Sequence, residues 1–468
     1  MPVFKASGFF VPMRTTHIPV SPDWYTVILQ TYANREHGEV TKRSMTMGAI
    51  ARRITRVITA VVCVAVSVGV SVATLHVPTR EGGGERFNPA RYRSDVIADT
   101  VINHTTGVDK TQGTGTAGSP YDNKGYFPEA GYTPSDFHAP CSIWTYRDAE
   151  SVWNCQVSGL QDLDTSSPHV RDVLSDYFVK LLDYGVAGFR VDAVKHMPPE
   201  DVLAIKKLVA KKSGRSMNDI WWTQEVIGDN AEAAEIQPRN YLKTGQVNEF
   251  QYAYRLKSLF SNSLAGGSLS IKDIPQNITD SGKASVFVTN WDTERNNMTL
   301  TYKDGDAYRL ANAFMLAYPY GAPNVFSGYE FHDTDSGASG ATATSVPDID
   351  CSKDSGWSCT ERWPDVHGMV GWHNVAGDAP LSDWQDDGDN MIAFGRGGRA
   401  FIAINNSVRT RTVTYHTALP AGEYCDVYAS ADCSGSVHVR FDGDATLTVP
   451  AGSAVAFHTA ATPYTVRQ

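Results

Sequence analysis

Positive charge is scarce in most of this chain. Residues 1–75 hold 8 Lys/Arg and 3 Asp/Glu, which leaves 33 basic against 48 acidic residues from 76 onward. Such a surface repels phosphate backbones, so a nucleic-acid partner is excluded. Glycine and proline, 39 and 23 of 468 residues, fall short of a collagen-like or low-complexity composition. With 42% hydrophobic and 20% charged residues, the chain is neither disordered nor a coiled coil. Its length predicts two to four globular domains, at roughly 100–200 residues each. Ten Trp and 21 Tyr are plentiful; core packing accounts for most, and stacking platforms for sugars are a second use.

Residues 57–75 (VITAVVCVAVSVGVSVATL) carry no charge and follow Lys42, Arg43, Arg52, Arg53 and Arg56. Basic residues, an apolar run and then Val72-Ala73-Thr74 predict a secretory signal peptide over 45–75, with 1–44 as an upstream extension. A membrane anchor is the rival, but Ala, Gly, Ser and Thr dilute the run. Export is expected, with no membrane association after cleavage. Cysteine usage agrees. Of seven Cys, Cys63 lies in the run, and the rest fall in near pairs, Cys141/Cys155, Cys351/Cys359 and Cys425/Cys433. Six cysteines allow 15 pairings, and this clustering favours three local bridges in an oxidising compartment.

From about residue 95, short apolar runs alternate with amphipathic helices. Strands are expected at 95–103, 186–192, 220–226, 246–251, 284–290 and 323–327. Residues 168–184 carry one apolar stripe through Val170, Leu174, Phe178 and Leu181, with Ser167 as cap, Pro168 in the first turn and Gly185 at the exit. Alternating strands and helices predict a parallel sheet with crossovers, as in a (β/α)8 TIM-type barrel, whose active site lies at the C-terminal strand ends. The catalytic barrel is expected over 76–377. Residues 104–165 form an inserted loop-rich domain, too long to be without function. From 378 to 468, segments such as AFIAIN, VTYHTAL and ATLTVPAG predict an antiparallel β-sandwich domain.

Polar residues at strand ends carry the chemistry. In GFRVDAVKH, Arg190 and Asp192 point to the side opposite Phe189 and Val191, because strand side chains alternate. Glu225 ends the next strand and Asp292 follows the strand at 284–290. Asp192 to Glu225 is 33 residues and Glu225 to Asp292 is 67, one βα unit and then two. Three carboxyls would rim one barrel mouth, as glycoside hydrolysis requires.

The motifs DTVINH (99–104), GFRVDAVKH (188–196), EVIG (225–228) and FVTNWD (287–292) occur in order, and the sequence resembles the α-amylases from about residue 95 to its end. That resemblance implies endo-hydrolysis of α-1,4-glucans such as starch with retention of configuration. It makes Asp192 the nucleophile, Glu225 the general acid/base and Asp292 the holder of sugar hydroxyls. Arg190 would keep Asp192 ionised and oriented, and His104, Lys195 and His196 would contact substrate. It also implies a structural calcium on Asn103 and Asp162, with main-chain oxygens from Trp153 and His196, and oxygen donors suit that ion. Arg190, Asn290 and Arg362 match the chloride ligands of some members, with an ordinary Arg362 salt bridge as the rival.

Two departures stand out. Trp291 occupies the fourth motif where His is usual, and an indole cannot accept a hydrogen bond as imidazole can; one substrate contact is altered. Only about 20 residues separate the apolar run from the first recognisable strand, so the first two βα units and the family's Trp-Trp-Tyr segment are expected to be missing. A barrel incomplete at its N-terminus leaves strand edges that invite association, whereas a complete one is expected to be monomeric. The second functional reading is therefore an inactive remnant that at most binds glucan.

Overall fold

The computed structural model describes residues 96–109, 112–115, 118–261, 279–342, 347–352, 355–388 and 390–465. The leader expected over 45–75, Cys63 and the extension 1–44 lie outside the described residues. The chain divides into two compact units. One comprises the described residues up to Asn248 together with Tyr329–Trp357; the other comprises Glu249–Gly328 and the chain from Ser358 onward.

In the first unit, strand β1 (Val96–Thr100) leads into the inserted segment, followed by helix α1 (Pro168–Asp183), β2 (Val186–Val191), α2 (Pro199–Ser213), β3 (Trp221–Gln224) and β4 (Gln246–Asn248). The four strands are parallel and pair in that order. Ser167 caps α1 through a bond from the Val170 N–H, and Pro168 occupies its first turn, where a missing N–H costs nothing. Gly185 leaves α1 at φ 95°, a conformation open to glycine. The buried stripe of α1 packs on the outer face of the sheet, where Phe178 meets Phe189 at 4.6 Å and Trp222 at 5.0 Å between ring centres. That contact fixes which side chains of β2 point away from the helices, and so aims Arg190 and Asp192 the opposite way.

The inserted segment contains two short antiparallel pairs, His104–Gly107 with Leu160–Asp162 and Gln112–Thr114 with Pro120–Asp122. A Cys141–Cys155 disulfide, with α-carbons 4.9 Å apart, closes the base of its 141–156 loop.

The second unit holds α3 (Phe250–Ser261), β5 (Ala284–Phe287), α4 (Asp306–Ala317), β6 (Ala322–Asn324) and α5 (Pro364–Ala376). Strands β5 and β6 are parallel, with Asn324 opposite Phe287. The expected strand at 246–251 is shorter than the sequence pattern implied. It stops at Asn248, and α3 begins at Phe250 because FQYAYRLKSLF carries a helical stripe through Phe250, Ala253, Leu256 and Phe260.

Four further strands, β7 (Leu381–Asp386), β8 (Met391–Arg396), β9 (Ala400–Asn405) and the last strand of the chain (Ser453–His458), form one antiparallel sheet. Alternation along β8 and β9 serves two cores. Ile392, Phe394, Ile402 and Ile404 join the cluster around α4 and α5, while Met391, Ala393, Phe401 and Ala403 join a second cluster with Tyr415, Leu447 and Val449. The Trp372 indole of α5 donates to the main-chain oxygens of Phe401 and Phe457, both at 3.1 Å, which locks the helix to that sheet. Cys425 and Cys433 are bridged, and Cys351 and Cys359 are also disulfide-bonded. Among the described residues, no helix is long and apolar enough to cross a membrane.

Candidate active site

In the first unit, β2 and β3 continue their ladder one step past their formal ends. The Asp192 N–H donates to the Thr100 carbonyl and the Glu225 N–H to the Val191 carbonyl, each at 2.9 Å. Both acids therefore sit on adjacent parallel strands at the same level. Register then brings a third: Asp99 of β1 lies opposite Arg190 of β2.

Arg190 is wholly buried and organises all three. Its Nη1 lies 2.8 Å from Asp99 Oδ1 and 2.8 Å from Asp192 Oδ1, and its Nη2 lies 3.1 Å from Glu225 Oε2. Burial by itself would lower the guanidinium pKa; the carboxylates of Asp99, Glu225 and Asp192 more than reverse this and hold it well above its ordinary value. Glu225 Oε2 also accepts the main-chain N–H of Ala193 at 2.8 Å. Ala193 adopts φ 53°, a left-handed conformation rare for a residue with a β-carbon. That local strain turns its N–H toward Glu225.

The turn after Asp192 supplies Lys195 and His196, each less than a tenth exposed. The Lys195 ammonium pairs with Glu232 and lies 5.4 Å from the Tyr146 ring centre, and the same ring meets His196 edge-on at 5.9 Å. His104, at the end of DTVINH, is also nearly buried, with its Nδ1 3.1 Å from Asn103 Oδ1.

A second polar cluster forms around Asn103. Its side-chain amide lies 2.9 Å from Asp162 Oδ1 and 3.1 Å from the His196 carbonyl oxygen. His138 Nδ1 lies 2.7 Å from the other Asp162 oxygen. Burial pushes the Asp162 pKa up to about 6, opposed by His138 and Asn103. Trp153 ends the short helix Ala149–Trp153 in the same unit.

In the second unit, Asp292 follows β5 in a loop tied by Asn290. The Asn290 side-chain oxygen accepts from the Asp292 N–H at 3.1 Å and the Thr293 N–H at 2.8 Å. Trp291 is fully buried, its ring 6.4 Å from that of Phe326. Arg362 is partly exposed, with its Nε 3.5 Å from the Glu361 carboxylate.

The chain matches the family described as alpha amylase, catalytic domain, over residues 94–369, and that described as alpha amylase, C-terminal all-beta domain, over 382–460. It belongs to the alpha-amylase family. Its fold is accordingly a TIM-type barrel part followed by a C-terminal β domain. It is 40% identical over 370 residues to an alpha-amylase of Streptomyces violaceus, a match covering 78% of this chain and 61% of that protein. An alpha-amylase of Tenebrio molitor is 37% identical over 394 residues, covering 80% and 82%. Among solved structures, alpha-amylase I of Eisenia fetida superimposes with a TM-score of 0.70 at 33% identity, covering 76% of this chain and 79% of that one. A mutant of that enzyme has been solved in complex with maltohexaose.

Within this family member, reading the sequence missed Asp99, Tyr146, Glu232 and His138. Asp99 carried a usable signal, an acid inside the apolar strand that opens DTVINH. The other three become neighbours of site residues only through folding of the 138–156 and 229–236 loops.

Proposed function

We propose that the chain hydrolyses internal α-1,4 bonds of starch-type glucans by a retaining double displacement. The observation that carries this reading is the single buried guanidinium of Arg190 shared by Asp192 and Glu225 at the ends of adjacent strands. Two carboxyls on neighbouring nitrogens of one guanidinium suit the separation of roughly 5 Å that a nucleophile and an acid/base need for retention. Asp192, oriented by Arg190, attacks the anomeric carbon while Glu225 donates a proton to the departing glycosidic oxygen. Glu225 then takes a proton from water, whose oxygen displaces Asp192 from the same carbon. Within the first unit, His104, Lys195 and His196 shape the substrate site, and by the family resemblance Asp292 holds sugar hydroxyls.

Asn103 and Asp162, with the main-chain oxygens of Trp153 and His196, would hold calcium. The donors fit a hard cation: turning the Asn103 amide over presents its oxygen where its nitrogen now meets Asp162 and His196. A buried Asp162 whose pKa burial has raised also gains from added positive charge. Calcium supplies that charge and ties the inserted segment to the turn at 194–196. The disulfides support export, since such bonds persist in oxidising compartments.

The test is reducing-sugar release from soluble starch by the full chain, with Asp192→Asn as control. Activity falling on the order of 1,000-fold or more in the control is expected. A chain that releases no sugar, or a control as active as its parent, overturns the reading.

A further inference from the structure

The loop 141–156 presents an aromatic side chain that nothing above uses. Trp144 is 65% exposed, far more than an indole needs for folding. Among the described residues, no ring or cation contact involves it. Ile143 packs on Ala149, Val152 and Ile236, while Trp144 and Tyr146 of the same loop are exposed.

The platform is rigid beneath the exposed ring. The Trp144 N–H donates to Ser151 Oγ at 3.1 Å, the Gln156 N–H to the Cys141 carbonyl at 2.9 Å, and the disulfide Cys141–Cys155 closes the loop. Tyr146 is held as well, its carbonyl accepting the Ala233 N–H at 2.8 Å, next to the Glu232 that pairs with Lys195. Lys195 and His196, in the turn after Asp192, thus meet Tyr146, and Trp144 lies two residues before Tyr146 on the same braced loop.

We infer that Trp144 is a stacking subsite for a glucose ring of the substrate chain beyond Tyr146, which would favour long α-glucans over short ones. The occupant follows from continuity with the site: a glucan lying along Lys195, His196 and Tyr146 and running on over the 141–156 loop meets the exposed Trp144. The C–H face of a pyranose suits an aromatic plane, and a ring fixed in advance loses little freedom on binding. The inference rests on the glucan-hydrolase reading.

The experiment uses the full chain and its Trp144→Ala and Trp144→Phe variants. It compares kcat/KM on maltoheptaose with kcat/KM on maltotriose. Trp144→Ala should lower that ratio roughly five-fold, through KM on the long substrate, with Trp144→Phe keeping most of it. An unchanged ratio in Trp144→Ala, in a parent active on both sugars, overturns this inference and leaves the hydrolase reading standing. A ratio unchanged while light scattering shows loss of a dimer makes the ring a contact between copies, which also overturns it. A parent that neither cleaves nor binds any α-glucan overturns both.

Discussion

The strand ends of the first unit and the loop after β5 in the second both bury carboxyls, yet they treat them oppositely. Asp99, Asp192 and Glu225 share the Arg190 guanidinium, and Glu225 gains a main-chain N–H. Glu294, two residues past Asp292, is only 6% exposed, and its Oε1 has no hydrogen-bond partner among the described residues. Burial pushes its pKa up to about 8, opposed by the charges of Arg295 and Lys303. Burial alone disfavours the charged form of an acid, whereas a buried cation hydrogen-bonded to it opposes that and fixes its orientation. The first arrangement holds its carboxyls in fixed directions around one shared cation, and the second costs stability once the pH rises.

The largest effect should come from breaking the first arrangement. Arg190→Met keeps most of the volume and leaves Asp99, Asp192 and Glu225 without their shared cation. Removing one partner of a buried ion network costs about 3–5 kcal/mol, so the melting temperature should fall by roughly 10 °C, with activity lost. A variant that melts within about 2 °C of the parent would show that other groups satisfy the three acids.

Calcium tests the same contrast at Asp162, whose buried carboxyl meets His138 and Asn103 and no Arg or Lys among the described residues. Chelation should lower the melting temperature by about 5 °C, restored by added calcium, since a ligand at 100 times its Kd contributes about 2.7 kcal/mol. Metal-analysed protein whose melting ignores both chelator and calcium removes Asn103 and Asp162 from the ligand set.

The smallest effect belongs to Glu294. Its folded pKa of about 8 exceeds the ordinary carboxyl value, so the native state keeps a proton that the unfolded chain releases. Its contribution to stability is therefore greatest in acid and declines as pH rises from about 4.5 to about 8. Glu294→Gln, uncharged throughout, should melt about 3 °C higher than the parent at pH 8 and gain far less at pH 5. Equal gains at both pH values would place the carboxyl in a setting where its charge is satisfied.

Much of this was legible in local pattern. The stripe of α1, its Ser167 cap and the alternation in GFRVDAVKH all appear as expected. Short-range cysteine pairing held for Cys141/Cys155 and Cys425/Cys433. Strand limits were less legible. Apolar residues continue from β4 into α3, and the change of period from two to 3.6 falls within a few residues, where neither pattern has room to declare itself. Glu294 stands in the polar stretch TERNN with no local mark of burial, and the fold alone encloses it.

The amino-acid sequence by itself determined which side chains share a face, where helices begin and which acids end successive strands. Those are consequences of backbone period and of residues a few positions apart. Tertiary structure decided the partners: Arg190 meets Asp99 across 91 residues of chain, and Asn103 meets His196 across 93. It also decided that Trp144 stays outside while Trp291 goes inside. Such pairings depend on strand register and on which loops fold over the strand ends. These are set by packing summed over whole elements, which no local spacing encodes.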